Sequence, residues 1–230
     1  MNMDILRWYK LNPKVVIKPT SNKFYNLYNY KLVYKVDGAR AIPGSKTLDQ
    51  LNLRMSYLGG ISRHNKGVID RELIGILFDI YRDAQIRFRV EGNSVSMFCS
   101  DIDLLYHTAS HRLAAYTNNL TQCSLVLSDA AQKALDGGQI IVNKPPEFRY
   151  KVLLRQGFYR NLSERQAAAN YIEQLGSDIK ISELLLNNLK SSTKYLSAGY
   201  FYTNDRRLGD IIMLICPRLI LSIRELVEVN

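Results

Sequence analysis

Apolar and polar residues alternate over residues 31–36, 86–90 and 95–98, the period of two that half-buried strands show. Gly92-Asn93 separates the last two runs and predicts a hairpin. After Asp70 the period changes. Leu73, Ile76, Leu77 and Ile80 recur every three or four residues, predicting a helix that Asp70 caps. Thr47 is placed to cap another helix over Leu48, Leu51 and Met55, following the Asp37-Gly38 and Pro43-Gly44 breaks. Asp101 opens a helix expected to run through Leu113, and residues 123–127 return as a strand.

The second half repeats the order. Residues 150–154 read as a strand, and Ser163 with Gln166 has capping-box spacing for a helix through Leu175 that Gly176 ends. A short strand at 178–181, a helix at 182–189, a strand at 200–202 and a helix at 205–215 stopped by Pro217 follow, with strand or mixed structure over 220–229. Each half thus runs strand, helix, strand, strand, helix, strand. The expected fold is α+β: two tandem ferredoxin-like (βαββαβ) units over residues 31–142 and 147–230. A short helix at 129–135, ended by Gly137-Gly138, precedes a linker at Asn143-Lys144-Pro145-Pro146. Residues 1–30 read as a basic, aromatic N-terminal arm.

A fainter repeat supports the duplication. Phe98, Asp101, Leu104, Leu105, Arg112 and Leu113 read as a worn copy of Phe201, Asp205, Leu208, Ile211, Ile212, Arg218 and Leu219. Val95 and Met97 are read as the earlier copy's equivalents of Tyr200 and Tyr202, so only the later strand is expected to stack bases.

Charge sharpens the expectation of a partner. Lys and Arg number 31 against 21 Asp and Glu, a net charge of +10 that favours a polyanion, nucleic acid first. Cys99, Cys123 and Cys216 have no partner at metal-ligand or redox spacing and read as buried small hydrophobes. No run of apolar residues is long enough for a membrane span and the first residues lack a signal-peptide pattern, so the expectation is a cytoplasmic protein. Richness in Asn, Tyr, Lys and Ile often accompanies AT-rich coding, as in phages; host cytoplasm would then be the location.

Within the arm, Lys14, Lys18 and Lys23 are interleaved with Tyr25 and Tyr28, pairing cations for phosphates with rings for bases. Arg87 and Arg89 share one strand face, with Arg63 and Lys66 in the preceding basic loop, and form a candidate basic surface. In the second half, Ala198-Gly199-Tyr200-Phe201-Tyr202 resembles the third strand of the RNA-recognition motif. Gly199, Tyr200 and Tyr202 match its glycine and two stacking aromatics, while Ala198 and Phe201 depart from its basic and small positions. The resemblance implies an open sheet face that reads RNA, with Tyr150 and Lys151 on the opening strand and Arg206 and Arg207 as neighbouring phosphate contacts. The architecture is similar also to the tandem ferredoxin-like RNA-processing proteins of CRISPR systems.

Enzymatic signatures are missing: the chain has no Walker A loop, GxSxG, GxGxxG or HExxH. His107 and His111 have the i, i+4 spacing of a helical metal pair, with Asp103 as an imaginable third ligand, but no metal or other cofactor is expected. The expected function is non-catalytic binding of RNA or single-stranded DNA. Two alternatives stand beside it: a phage structural or assembly protein that binds itself or other phage proteins, and a small metal-independent RNA endonuclease using His64 and Lys66.

Overall fold

The computed structural model describes residues 3–61 and 69–229 and has two compact units, 1–132 and 133–230. It is a mixed helix and strand protein with two five-stranded mixed sheets. The first unit contains α1 (Met3–Leu11), β1 (Val16–Pro19), β2 (Tyr30–Lys35), α2 (Leu48–Ile61), α3 (Arg71–Tyr81), β3 (Arg87–Glu91), β4 (Ser94–Cys99), α4 (Ile102–His107) and β5 (Leu120–Leu125). α5 (Asp129–Asp136) spans the division. The second contains β6 (Ile140–Val142), β7 (Tyr150–Leu154), β8 (Gly157–Phe158), α6 (Leu162–Gln174), β9 (Ile179–Lys180), α7 (Glu183–Lys190), β10 (Tyr195–Leu196), β11 (Gly199–Thr203), α8 (Arg207–Ile215) and β12 (Ile220–Glu228). Among the described residues no helix is long and apolar enough to cross a membrane.

The two large sheets share one plan, β1-β5-β2-β4-β3 and β6-β12-β7-β11-β9. In each, a short edge strand runs parallel to the last strand, and the other pairings are antiparallel. β6 therefore belongs to the second sheet, and the division between units falls before it rather than at Pro145-Pro146.

Residues 3–19 are built into the first unit instead of forming an arm. Trp8 is 0% exposed and meets Tyr106 edge-on at 5.3 Å between ring centres. Burying an indole removes so much apolar surface from water that α1 is held to the core. The buried Asn12 amide then ties the end of α1 to the carbonyls of Thr117 (3.0 Å) and Leu120 (2.8 Å). Interleaved aromatics at the start of the chain thus carry packing as well as surface.

Most helix starts follow their caps. Asp70 accepts from the Leu73 N–H, Asp101 from those of Asp103 and Leu104, and Ser182 from that of Leu185. α6 differs from expectation, because Asn161 caps it: its side chain accepts from the Glu164 N–H and donates to the Glu164 carboxylate at 2.6 Å. The reciprocal pair forms two residues before Ser163. α4 is also shorter than expected, widening after His107 into a π-helical turn over Thr108–Arg112.

One buried cation organises the helical layer of the second unit. Arg165 on α6 is 0% exposed; its Nε donates to the Leu189 carbonyl at 3.0 Å and its Nη2 to that of Ser191, while the neighbouring Gln166 amide donates to Lys190 at 3.0 Å. These are the orphan carbonyls at the end of α7, where the helix dipole also favours a positive charge. Replacing Arg165 with Met keeps the volume and strands those acceptors, so chemical denaturation should show a loss of about 2–4 kcal/mol. Arg165→Lys should recover part of it; an unchanged unfolding curve for Arg165→Met would contradict the assignment.

Candidate nucleic-acid interface

Strand alternation leaves each sheet one face for its core and one facing away. In the first unit Leu32, Val95, Met97 and Cys123 enter the core. The opposite parity forms a row across the whole sheet: Lys18 pairs with Ser124, Ser124 with Lys31, Lys31 with Phe98, and Phe98 with Arg87. In the second unit Val152 and Phe201 are buried, and the corresponding row runs Arg224, Lys151, Tyr202, Lys180. A lysine of β2 or β7 stands opposite an aromatic of β4 or β11 in the two units, with a cation of β3 or β9 beyond it.

This register corrects the alignment of the two copies. Val95 and Met97 are core residues, and the counterparts of Tyr200 and Tyr202 are Ser96 and Phe98. Phe98 stands three residues before Asp101 as Tyr202 stands three before Asp205. Matching Val95 and Met97 to Tyr200 and Tyr202 shifted the pattern by one residue, which moves every side chain to the other face.

Phe98 is nonetheless only 4% exposed, because the loop after β1 folds over it. Phe24 and Tyr25 contact its ring at centroid distances of 5.3 and 5.1 Å. Tyr25 and Asn26 form a tight turn with φ of 54° and 61°, a conformation that costs a bulky residue free energy and is held here by tertiary contacts. Arg87 lies over the Tyr25 ring at 5.0 Å, and Arg89 donates to Glu91. Lys31 sits 5.8 Å from Phe24 and 5.6 Å from Phe98. Burial pushes its pKa down, and the nearby positive charges of Arg89 and Lys18 add to the shift while Glu91 opposes it. Anionic ligands would relieve that crowding.

The second face is open. Tyr200 is 46% exposed and meets Tyr202 edge-on at 5.3 Å, and the Lys151 ammonium lies 3.8 Å from the Tyr200 ring centre. Lys180 pairs with Glu147 at 2.9 Å. Gly199 has a local reason to be glycine: a Cβ there would stand 2.6 Å from Leu185 of α7. The cleft between α7 and these tyrosines has a volume of about 600 Å³.

Of the residues singled out from sequence, Lys18, Tyr25, Arg87 and Arg89 come together on the first sheet, and Lys151, Tyr200 and Tyr202 on the second. Lys23 and Tyr28 belong to the loop that carries Tyr25, and Lys14 lies in the turn before β1. Arg63, His64 and Lys66 lie outside the described residues. Tyr150 shares parity with Val152 and Leu154 rather than with Lys151, so it is not on the tyrosine face. Arg149 lies 5.4 Å over its ring. Arg207 is held by Asp205, which accepts from its backbone N–H at 2.9 Å and from its guanidinium at 3.0–3.2 Å. Arg206 instead borders a cleft of about 400 Å³ with Arg149, Arg224 and Glu225. The Glu225 carboxyl is held below its usual range by the Gln139 hydrogen bond and then by Arg149.

Sequence reasoning placed Lys31 among the basic residues interleaved with aromatics and missed Phe98, Lys180 and Arg224. Aligning the copies on Asp101 and Asp205 would have found Phe98. His107 and His111 do stack, at 4.3 Å, but Asp103 is ion-paired with Arg7 at 2.6 Å. Among the described residues no group of three or more His, Cys, Asp or Glu is placed to hold a metal ion.

No family model matches the chain, and no curated protein and no solved structure matches it.

Burial, then the adjoining Tyr200, pushes the Tyr202 phenol above its ordinary pKa, against a smaller lowering by Lys180. A raised folded pKa gives stability that is complete below the ordinary phenol value and lost as pH rises through the shifted one. An ultraviolet or NMR titration should find Tyr202 moving back towards normal in Tyr200→Phe; no movement would break the coupling.

Proposed function

We propose that the protein binds single-stranded nucleic acid, RNA or single-stranded DNA, without catalysing a reaction on it. The observation that carries this is the row of lysine, aromatic and cation on neighbouring strands, present in both units on the face turned away from the core. Cations along such a row neutralise phosphates; in the second unit the exposed Tyr200 and the adjoining Tyr202 offer a surface on which a base stacks, whereas Phe98 of the first is covered by Phe24 and Tyr25. The net charge of +10 fits a polyanionic partner.

The strand order supports the ferredoxin-like description of both units. Without the parallel edge strands, the orders β5-β2-β4-β3 and β12-β7-β11-β9 place the fourth strand beside the first, then the third, then the second. That is the arrangement of the RNA-recognition motif, and it puts Tyr200 and Tyr202 on the third strand, next to Lys151 on the first. The second unit adds α7 between its second and third strands and a ribbon of β8 with β10.

Salt and side-chain truncation separate the two contributions. Tyr200→Ala and Tyr202→Ala should each weaken binding of an unstructured oligonucleotide by about 1–3 kcal/mol while leaving the salt slope intact. Lys151→Ala should lower the slope of log K against log salt by about 0.7. Fluorescence anisotropy with labelled RNA and DNA of equal length checks both and distinguishes the two nucleic acids. Trp8 is a poor reporter because it is buried. Absence of binding at low salt, with concentration-dependent self-association instead, would favour the assembly role.

A further inference from the structure

The geometry points to the cleft between α7 and β11 as a pocket for one unstacked base of the bound strand, read by Asn188. The assignment rests on the nucleic-acid function proposed above and goes beyond it, since it places recognition outside the sheet face. Four observations converge on it. The cleft's volume of about 600 Å³ lies within the range of about 300–1,000 Å³ usual for small-ligand sites, ample for a base with its sugar. Tyr200 and Tyr202 belong to its lining, so a strand lying on the tyrosine face passes its mouth.

Its walls combine apolar side chains with a few polar groups. Leu184 and Leu185 of α7 offer surface to a flat ring, and Asn188, one turn further along the same helix, offers both an N–H donor and a carbonyl acceptor. Asn188 is half-buried, and its side-chain amide has no hydrogen bond to any described residue; only its backbone carbonyl is engaged, accepting from Ser191. A half-buried amide without a protein partner is well suited to a base edge, which carries complementary donors and acceptors. The Ser182 hydroxyl accepts from the Leu185 N–H and keeps its own proton for a ligand.

The pocket is also preorganised. α7 is fixed at its C-terminal end by Arg165 and pressed onto Gly199 near its start, so the wall carrying Asn188 is set before anything binds. The occupant follows from charge and shape together. Lys151, over the Tyr200 ring at the cleft's mouth, supplies a cation for the phosphate that carries such a base, while Lys180 in the lining is paired with Glu147.

The test compares the unaltered chain with Asn188→Ala, Ala198→Trp and Tyr200→Ala, using RNA and DNA homopolymers of the four bases at two salt concentrations. Asn188→Ala loses no hydrogen bond within the protein and should fold normally. Ala198 is exposed at the cleft, so Ala198→Trp fills it from outside. The wild type should prefer one base over the others by about tenfold, and Asn188→Ala should remove most of that preference with the salt slope unchanged. Ala198→Trp should lower affinity for the preferred homopolymer alone, whereas Tyr200→Ala should lower affinity for all. If Asn188→Ala and Ala198→Trp bind every homopolymer as the wild type does while Tyr200→Ala binds weakly, the pocket is wrong and the sheet face stands. If the wild type binds no homopolymer at low salt, the proposed function fails and the pocket with it.

Discussion

Strand register is the constraint from which the rest of this molecule follows. In the first sheet Leu32 must meet Met97, and in the second Val152 must meet Phe201, because those pairs supply the apolar centre of each core. Once they are fixed, period-two alternation leaves no choice about the reverse face: Lys31 lies opposite Phe98 and Lys151 opposite Tyr202. The cationic and aromatic row is therefore set by the same pairing that makes the core. A slip of one residue in either pair would bury a lysine and expose a core side chain, which explains why the arrangement is specified so firmly.

The two units finish that row differently. In the first, the turn at Tyr25 and Asn26 covers Phe98 and brings Tyr25 under Arg87, so the ring nearest solvent comes from a loop rather than from β4. In the second, the third-strand tyrosines are themselves exposed, with Lys151 against one of them. α7 then walls off one side, held by a buried arginine that donates to the carbonyls of Leu189 and Ser191. Removing its charge would cost the second unit a cap and the cleft a wall, which couples stability to the shape of the surface.

Much of the fold could be read from the sequence because its signals were local. The hairpin at Gly92-Asn93, the helix starts at Asp70 and Asp101 and the alternation of β7 and β11 each depend on a few adjacent residues. What escaped was set by contacts far apart in the chain. Trp8 reads as an exposed stacking group until α1 is seen packed against Tyr106, and β6 reads as part of the first unit until its pairing with β12 is known. The same holds for the site. Tyr200 and Tyr202 could be placed on one face from alternation alone, whereas Lys180 and Arg224 join them only through registers between strands. Tyr150 and Lys151, adjacent in sequence, could never share a face.

The central claim is that the tyrosine face of the second sheet contacts the strand directly. Ultraviolet cross-linking to an oligonucleotide carrying photoreactive bases, followed by mass spectrometry of the peptides, tests it most directly. Adducts on Tyr200, Tyr202 and the segment containing Lys151 are the predicted result. Efficient cross-linking confined to other surfaces, with peptides from β7 and β11 unmodified, would contradict it.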